Sequence, residues 1–132
     1  DALASLSENG KIEKKSVDIK LAISAYISDD YIHEDRVRLE LYRRLSKASD
    51  IQEVYTIEEE MEDRFGKLDI YTKQFIELII IKILALNLGI QNISSYEMSI
   101  TFTKADETKE TIKSPSKDDD DIIATTLRYL RK

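Results

Sequence analysis

"FIELIIIKILALNL", residues 75–88, is the stretch on which the fold turns. Only Glu77, Lys82 and Asn87 interrupt its apolar run. A bilayer span needs roughly 20 apolar residues, so the spacing predicts no membrane segment but a helix over 71–88, buried on most of its sides and closed by Gly89. A helix of that kind must be covered by other elements, and the flanking sequence supplies them.

Upstream, Val54, Ile57, Met61 and Phe65 recur at spacings of three, four and four. They form the apolar stripe of a second helix that Ser49-Asp50 can cap and that Gly66 ends in a left-handed C-cap. Before it, Val37, Leu41, Leu45 and Ala48 place a first helix over 34–48. Earlier still, "VDIKLAISAYI" (17–27) puts Val17, Ile19, Leu21, Ile23, Ala25 and Ile27 on alternate positions, the period of a strand with one buried face.

Downstream of Gly89, "YEMSITFTK" (96–104) alternates again, with Tyr96 or Met98 sharing a face with Ile100 and Phe102. "KADETK" reads as a loop or hairpin turn and "ETIKS" as the returning strand. A last helix begins near Pro115, with Asp118, Asp119, Asp120 and Asp121 in its first turn and Arg128, Arg131 and Lys132 in its last, both sets complementing the macrodipole. Strand, three helices, two strands and helix make an α+β domain: a small, mostly antiparallel sheet of about three strands with about four helices packed against it. Residues 1–16 read instead as a helix end stopped by Asn9-Gly10 and a lysine-rich link, so the domain proper is expected over 17–132. A chain opening without Met reads as a piece of something larger.

Composition narrows the chemistry. The chain has 132 residues, 42% hydrophobic and 35% charged, enough for one core. It has no cysteine, which removes disulfides, thiolate catalysis and cysteine-based zinc sites and favours a reducing compartment, the cytoplasm. "DALASLSENGKIEKKS" lacks the apolar core of a signal peptide. A net charge of −6 repels a phosphate backbone, so direct nucleic-acid binding is not expected. His33 is the only histidine and reads as a turn residue. Gly10, Gly66 and Gly89 are isolated, so no phosphate loop or dinucleotide fingerprint exists. The "DDDD" run lacks the glycine and glutamate of a calcium loop and reads as a helix start. No catalytic residue, metal ligand or cofactor is assigned.

The feature left over is "EEEMEDRFGKL" (58–68), the end of a set of six acids, Glu53, Glu58, Glu59, Glu60, Glu62 and Asp63, with no base among them. Divided acid and base roles require burial or a neighbouring charge to separate two pKa values. At about 100° per residue, with Met61 pointing to the core, Glu59 and Asp63 point away from it and Glu60 sideways, toward water. That geometry fits a docking surface or a solvated face better than a hydrolase pocket. "DRFG" departs from the Asp-Phe-Gly of kinases by the inserted Arg64 and has none of its companion motifs. Arg36, Arg38, Arg43, Arg44 and Lys47 on the first helix are interleaved with Glu34, Asp35 and Glu40, as on a solvated, salt-bridged face.

Taken together, "AYISDDYI", "RLELYRRLSKASDIQEV", "EEEMEDRFGKL" and "LALNLGIQNI" resemble, in order and spacing, the carboxy-terminal domain of bacterial transcription-repair-coupling factors. The resemblance covers about residues 17–132, with 1–16 similar to the tail of the preceding motor region and a linker. It implies a non-catalytic regulatory module of a large ATP- and Mg-dependent DNA translocase that displaces stalled RNA polymerase and recruits UvrA for excision repair. It further implies that the module folds back on the UvrB-like module near the amino terminus of the same polypeptide and masks its UvrA-binding surface. By position, the family's acidic contacts fall on Glu60 and Asp63. The alternative is a stand-alone adaptor that binds a protein partner in trans. The sequence departs from the family where Ser28 and His33 replace prolines and where Lys67-Leu68-Asp69 follows Arg-Phe-Gly without one, which loosens those loops.

Overall fold

The computed structural model describes residues 16–132. The helix end ahead of Asn9-Gly10 and the link after it lie outside the described residues. Among the described residues the order is β1 (Asp18–Lys20), α1 (Asp35–Lys47), α2 (Ile51–Phe65), α3 (Ile70–Asn87), β2 (Ile90–Tyr96), β3 (Ser99–Lys104), β4 (Lys109–Lys113) and α4 (Asp119–Leu130). The sheet runs β1-β2-β3-β4, with β1 parallel to β2 and the other two pairs antiparallel. The α+β class and the mostly antiparallel sheet are as expected.

α3 organises the whole. Ile79, Ile80 and Ile81 are consecutive and all buried, which an amphipathic helix cannot achieve, so α3 is packed on two sides. On one side Ile76, Ile79, Ile80 and Ile83 join Leu41 and Leu45 of α1 and Val54, Ile57 and Met61 of α2. On the other, Ile81 and Ala85 join Ile93, Ile100 and Phe102 of the sheet and Ile122, Ile123 and Leu130 of α4. The sheet is therefore covered by α3 and α4, while α1 and α2 build a second layer on the far side of α3. Asp50 and Asp69 cap α2 and α3, accepting hydrogen bonds from the Glu53 and Thr72 amides at 2.8 and 2.9 Å.

The first strand is shorter than its sequence pattern. Burial alternates from Val17 to Ile27, but the ladder with β2 stops after Lys20 pairs with Ser94. The next amide, Ala22, donates to the Ser95 hydroxyl at 2.8 Å instead of to a strand carbonyl, and Ile23 N–H turns back to the Leu21 carbonyl at 2.9 Å. Beyond that point three amides find different partners. Ser24 donates to Asp119 Oδ2 at 2.9 Å, Tyr26 to the Tyr71 carbonyl at 3.2 Å and Ile27 to the Tyr42 hydroxyl at 2.6 Å. These backbone donors are thus satisfied as the segment crosses from the sheet to the helical layer.

β2 was not anticipated, and the reason lies in its register. A bulge between Ile90 and Asn92 sets its two buried isoleucines, Ile90 and Ile93, three apart, which destroys the period-two signal. Tyr96 ends β2 and Ser99 begins β3. Glu97 and Met98 are the turn between them, with Glu97 at φ 56°. Residues 96–104 are consequently not one strand: Ile100 and Phe102 are fully buried, while Tyr96 is 79% exposed and Met98 is exposed too.

Candidate protein-docking surface

The acidic surface rests on α2, whose apolar stripe fixes its rotation. Val54, Ile57 and Met61 are buried and Phe65 is half-buried. Glu59, Glu62 and Asp63 are consequently exposed, and Glu58 and Glu60 lie at the edges, half-buried. Gly66 stops the helix at φ 90°, ψ −171°. That is not the left-handed helical cap expected from sequence but the extended positive-φ region open essentially to glycine alone. The conformation turns the Gly66 carbonyl to the Tyr31 hydroxyl, which donates to it at 2.6 Å. Tyr31 closes the end of the helix in this way, with its ring edge-on to Phe65.

Glu60 does not simply face water. Arg44 of α1 grips its carboxylate with two bonds of 2.7 and 2.9 Å, and Arg64, one turn along, reaches it at 3.4 Å. The bidentate grip of Arg44, opposed slightly by burial, holds the Glu60 carboxyl below the usual glutamate range and raises the Arg44 guanidinium in turn. The pair ties α1 to α2. Arg64, to which the sequence assigned no task, also covers the Phe65 ring at 4.8 Å. The basic face of α1 thus spends Arg44 on α2, while Arg38 pairs with Asp35 in the first turn of its own helix. No such bond reaches Asp63 among the described residues.

The two residues singled out from sequence therefore share one edge of α2, three positions apart, but differ in state. Asp63 presents an open carboxylate, whereas Glu60 presents the free lone pairs of a carboxylate already anchored by two guanidiniums. Glu58, by contrast, is raised, first by burial and then by Glu62, with Lys73 opposing. None of these acids lines the three concavities seen among the described residues. The concavities at His33 to Glu40 and on either side of Tyr129 take no residue from α2. Two carboxylates on an outward helix face are placed to meet a partner's charges, an arrangement that suits electrostatic docking. At the far end, "DDDD" starts α4 as expected. Carboxylates of Asp118, Asp120 and Asp121 lie within 4.8 Å of one another, but Asp121 is engaged by the Ser116 hydroxyl at 2.7 Å.

Comparison with known proteins gives this geometry its setting. The family model of the TRCF domain matches residues 21–114. The chain is 49% identical over 131 residues, 99% of its length, to a transcription-repair-coupling factor of Helicobacter pylori, of which it spans 13%. It is 35% identical over 98 residues, 72% of its length, to that of Rickettsia conorii, spanning 9% of it. Its fold matches a crystal structure of the C-terminal domain of transcription-repair coupling factor with a TM-score of 0.66, at 24% identity, over 69% of this chain and 56% of that one. The chain belongs to the TRCF domain family.

Proposed function

We propose that this domain is a non-catalytic regulatory module of a cytoplasmic transcription-repair-coupling factor, an ATP- and Mg-dependent DNA translocase that displaces stalled RNA polymerase and recruits UvrA. In this reading the domain acts as a latch. The outer edge of α2, carrying Glu60 and Asp63, packs against basic residues of the amino-terminal UvrB-like module in the same polypeptide and covers its UvrA-binding surface.

The observation that carries the proposal is the rigidity of that edge. α2 is pinned below by Met61 and beside by the Arg44–Glu60 pair at 2.7 Å, so its open carboxylates are held in register before any partner arrives. Preorganised charge of this kind sets orientation and suppresses wrong partners. A latch worth about 3 kcal/mol would keep the closed state favoured roughly a hundredfold and still yield to a polymerase or DNA contact.

The test is charge reversal in the full-length factor. Asp63→Lys, alone and with Glu60→Lys, is expected to raise UvrA binding or DNA-independent ATPase activity severalfold. The single variant is the cleaner of the two, because Glu60→Lys also releases Arg44. If both quantities stay at wild-type level in both variants, the latch is wrong.

A further inference from the structure

The sheet ends in an open edge, and that edge lines a basic groove. Among the described residues β4 pairs only with β3. The amide of Lys104 bonds the Thr108 carbonyl and that of Ser114 the Met98 carbonyl. Continuing this ladder, Glu110 and Ile112 direct their backbone groups inward to Phe102 and Ile100. Lys109, Thr111 and Lys113 therefore direct their amides and carbonyls outward, where no strand lies among the described residues.

Between this edge and α4 is a concavity of about 200 Å³ lined by Ile112, Lys113, Thr125, Arg128, Tyr129 and Lys132. Its charged residues are three cations, with no carboxylate, in a chain of net charge −6. Glu110, the nearest acid on the strand, is turned to the other side of Tyr129, whose hydroxyl donates to it at 2.5 Å. Ile112 and Tyr129 supply an apolar floor, both half-buried.

An edge strand beside a helix, with a groove between them, is the geometry in which an extended peptide adds to a sheet. The charges decide what can add. In an antiparallel pair of two copies centred on Thr111, Lys109 of one would face Lys113 of the other, and like charges directly opposite are destabilising. A second copy is thereby disfavoured, and a strand with carboxylates on alternate residues is favoured.

We infer that the β4–α4 edge is a docking site for an extended acidic segment of a protein partner, added antiparallel to β4. The site is separate from the α2 face and independent of the latch. Backbone bonds to Lys109, Thr111 and Lys113 supply affinity; the Lys113 ammonium is held by the Ser99 hydroxyl at 2.8 Å on the other face of the sheet, so Arg128 and Lys132 select negative charge.

The probe is acetyl-Glu-Val-Glu-Val-Glu-amide titrated into the ¹⁵N-labelled chain, with the lysine analogue of the same peptide as control. The acidic peptide is expected to shift and protect the amides of Lys109, Thr111 and Lys113 and to shift Arg128, and the lysine peptide to bind at least tenfold more weakly. Thr111→Pro removes an outward donor, which an edge strand tolerates, together with the exposed hydroxyl contact to Thr101 at 2.9 Å, and should weaken binding more than tenfold with a small change in Tm. Arg128→Glu provides the same loss without a backbone change, and Asp63→Lys should have no effect. Equal binding of both peptides, unchanged binding in Thr111→Pro and Arg128→Glu, shifts confined to other surfaces, or self-association through β4 would each overturn the site.

Discussion

The two sides of α3 are built by different rules. On the helical side, α1 and α2 each contribute an apolar stripe that lies within a dozen or so residues of sequence, and Leu41, Leu45, Val54, Ile57 and Met61 all reach the core. On the sheet side, Ile93 meets Ile100 and Phe102 through the register of a hairpin, β1 joins that hairpin from about seventy residues earlier, and Ile122 reaches it from α4. Local periodicity specifies the first side; partner and register specify the second. α3 belongs to both, so damage to either should be felt across the molecule.

The largest test of that coupling is Phe102→Ala. Phe102 is fully buried between Ile93 and the Tyr129 ring, which stacks on it at 4.0 Å. The substitution is expected to cost about 3–5 kcal/mol, and Leu45→Ala on the other side about 2–5 kcal/mol. If α3 makes one cooperative unit, hydrogen exchange in α1 accelerates in the Phe102 variant together with exchange in the sheet. Acceleration confined to the sheet side would split the domain into two independent units.

The same contrast explains what could be read from sequence. α1, α2, α3 and α4 were all legible, because the apolar pattern of each lies within its own stretch of sequence. β1 was legible as an alternating segment but not in its length, since the alternation of burial outlasts the ladder and the later amides bond Asp119, Tyr71 and Tyr42. β2 was missed because a bulge set Ile90 and Ile93 out of phase. At the candidate surface, helical geometry predicted that Glu59 and Asp63 would be exposed. It could not show that Arg44, sixteen residues upstream of Glu60, would close on that carboxylate, because the crossing of α1 over α2 is a tertiary fact.

A smaller effect separates the two positive-φ glycines that close α2 and α3. Gly66 lies at φ 90° and Gly89 at φ 73°, and in neither case would an added Cβ meet an atom within 4 Å. The cost of alanine is then purely conformational. For Gly66, in the region nearly exclusive to glycine, it should be about 1–3 kcal/mol; for Gly89, nearer the left-handed helical well, about 1 kcal/mol. Denaturant midpoints would measure both, and a larger loss at Gly89 would reverse the ranking.

Smaller again is the link between α1 and α2. Arg44 and Glu60 side chains are 36% and 37% exposed, so solvent screening limits the pair to roughly 0.2–1 kcal/mol despite its bidentate geometry. Because the folded Glu60 carboxyl is lowered from 4.5, its contribution is present above the unfolded value and lost as pH falls through the folded one. Arg44→Met should therefore lower Tm at pH 7 and lower it progressively less as acid protonates Glu60. An equal loss throughout that titration would mean that packing of the arginine stem, and not charge, is what the substitution removes.

The subtlest comparison uses one tyrosine from each side. Tyr31, against α2, and Tyr129, against the sheet, are both raised to about 12, but for different reasons. Burial comes first for Tyr31, followed by the charges of Glu62, Asp69 and Glu58; for Tyr129 the leading cause is the hydrogen bond to Glu110. In both, the folded state keeps its proton longer than the unfolded chain, so the stability they contribute is complete below pH 10 and lost as pH rises toward 12. Absorbance titration of the seven tyrosines should show Tyr31 and Tyr129 among those ionising late, with Tyr26 also raised above the usual tyrosine value, first by burial. Glu110→Gln should bring Tyr129 back toward 10 and leave Tyr31 late, since an uncharged amide no longer penalises the phenolate. Added salt should lower Tyr31 only slightly, because screening acts on the charges around it and leaves its burial untouched. If Glu110→Gln shifts both tyrosines, α3 transmits more than packing between the two sides.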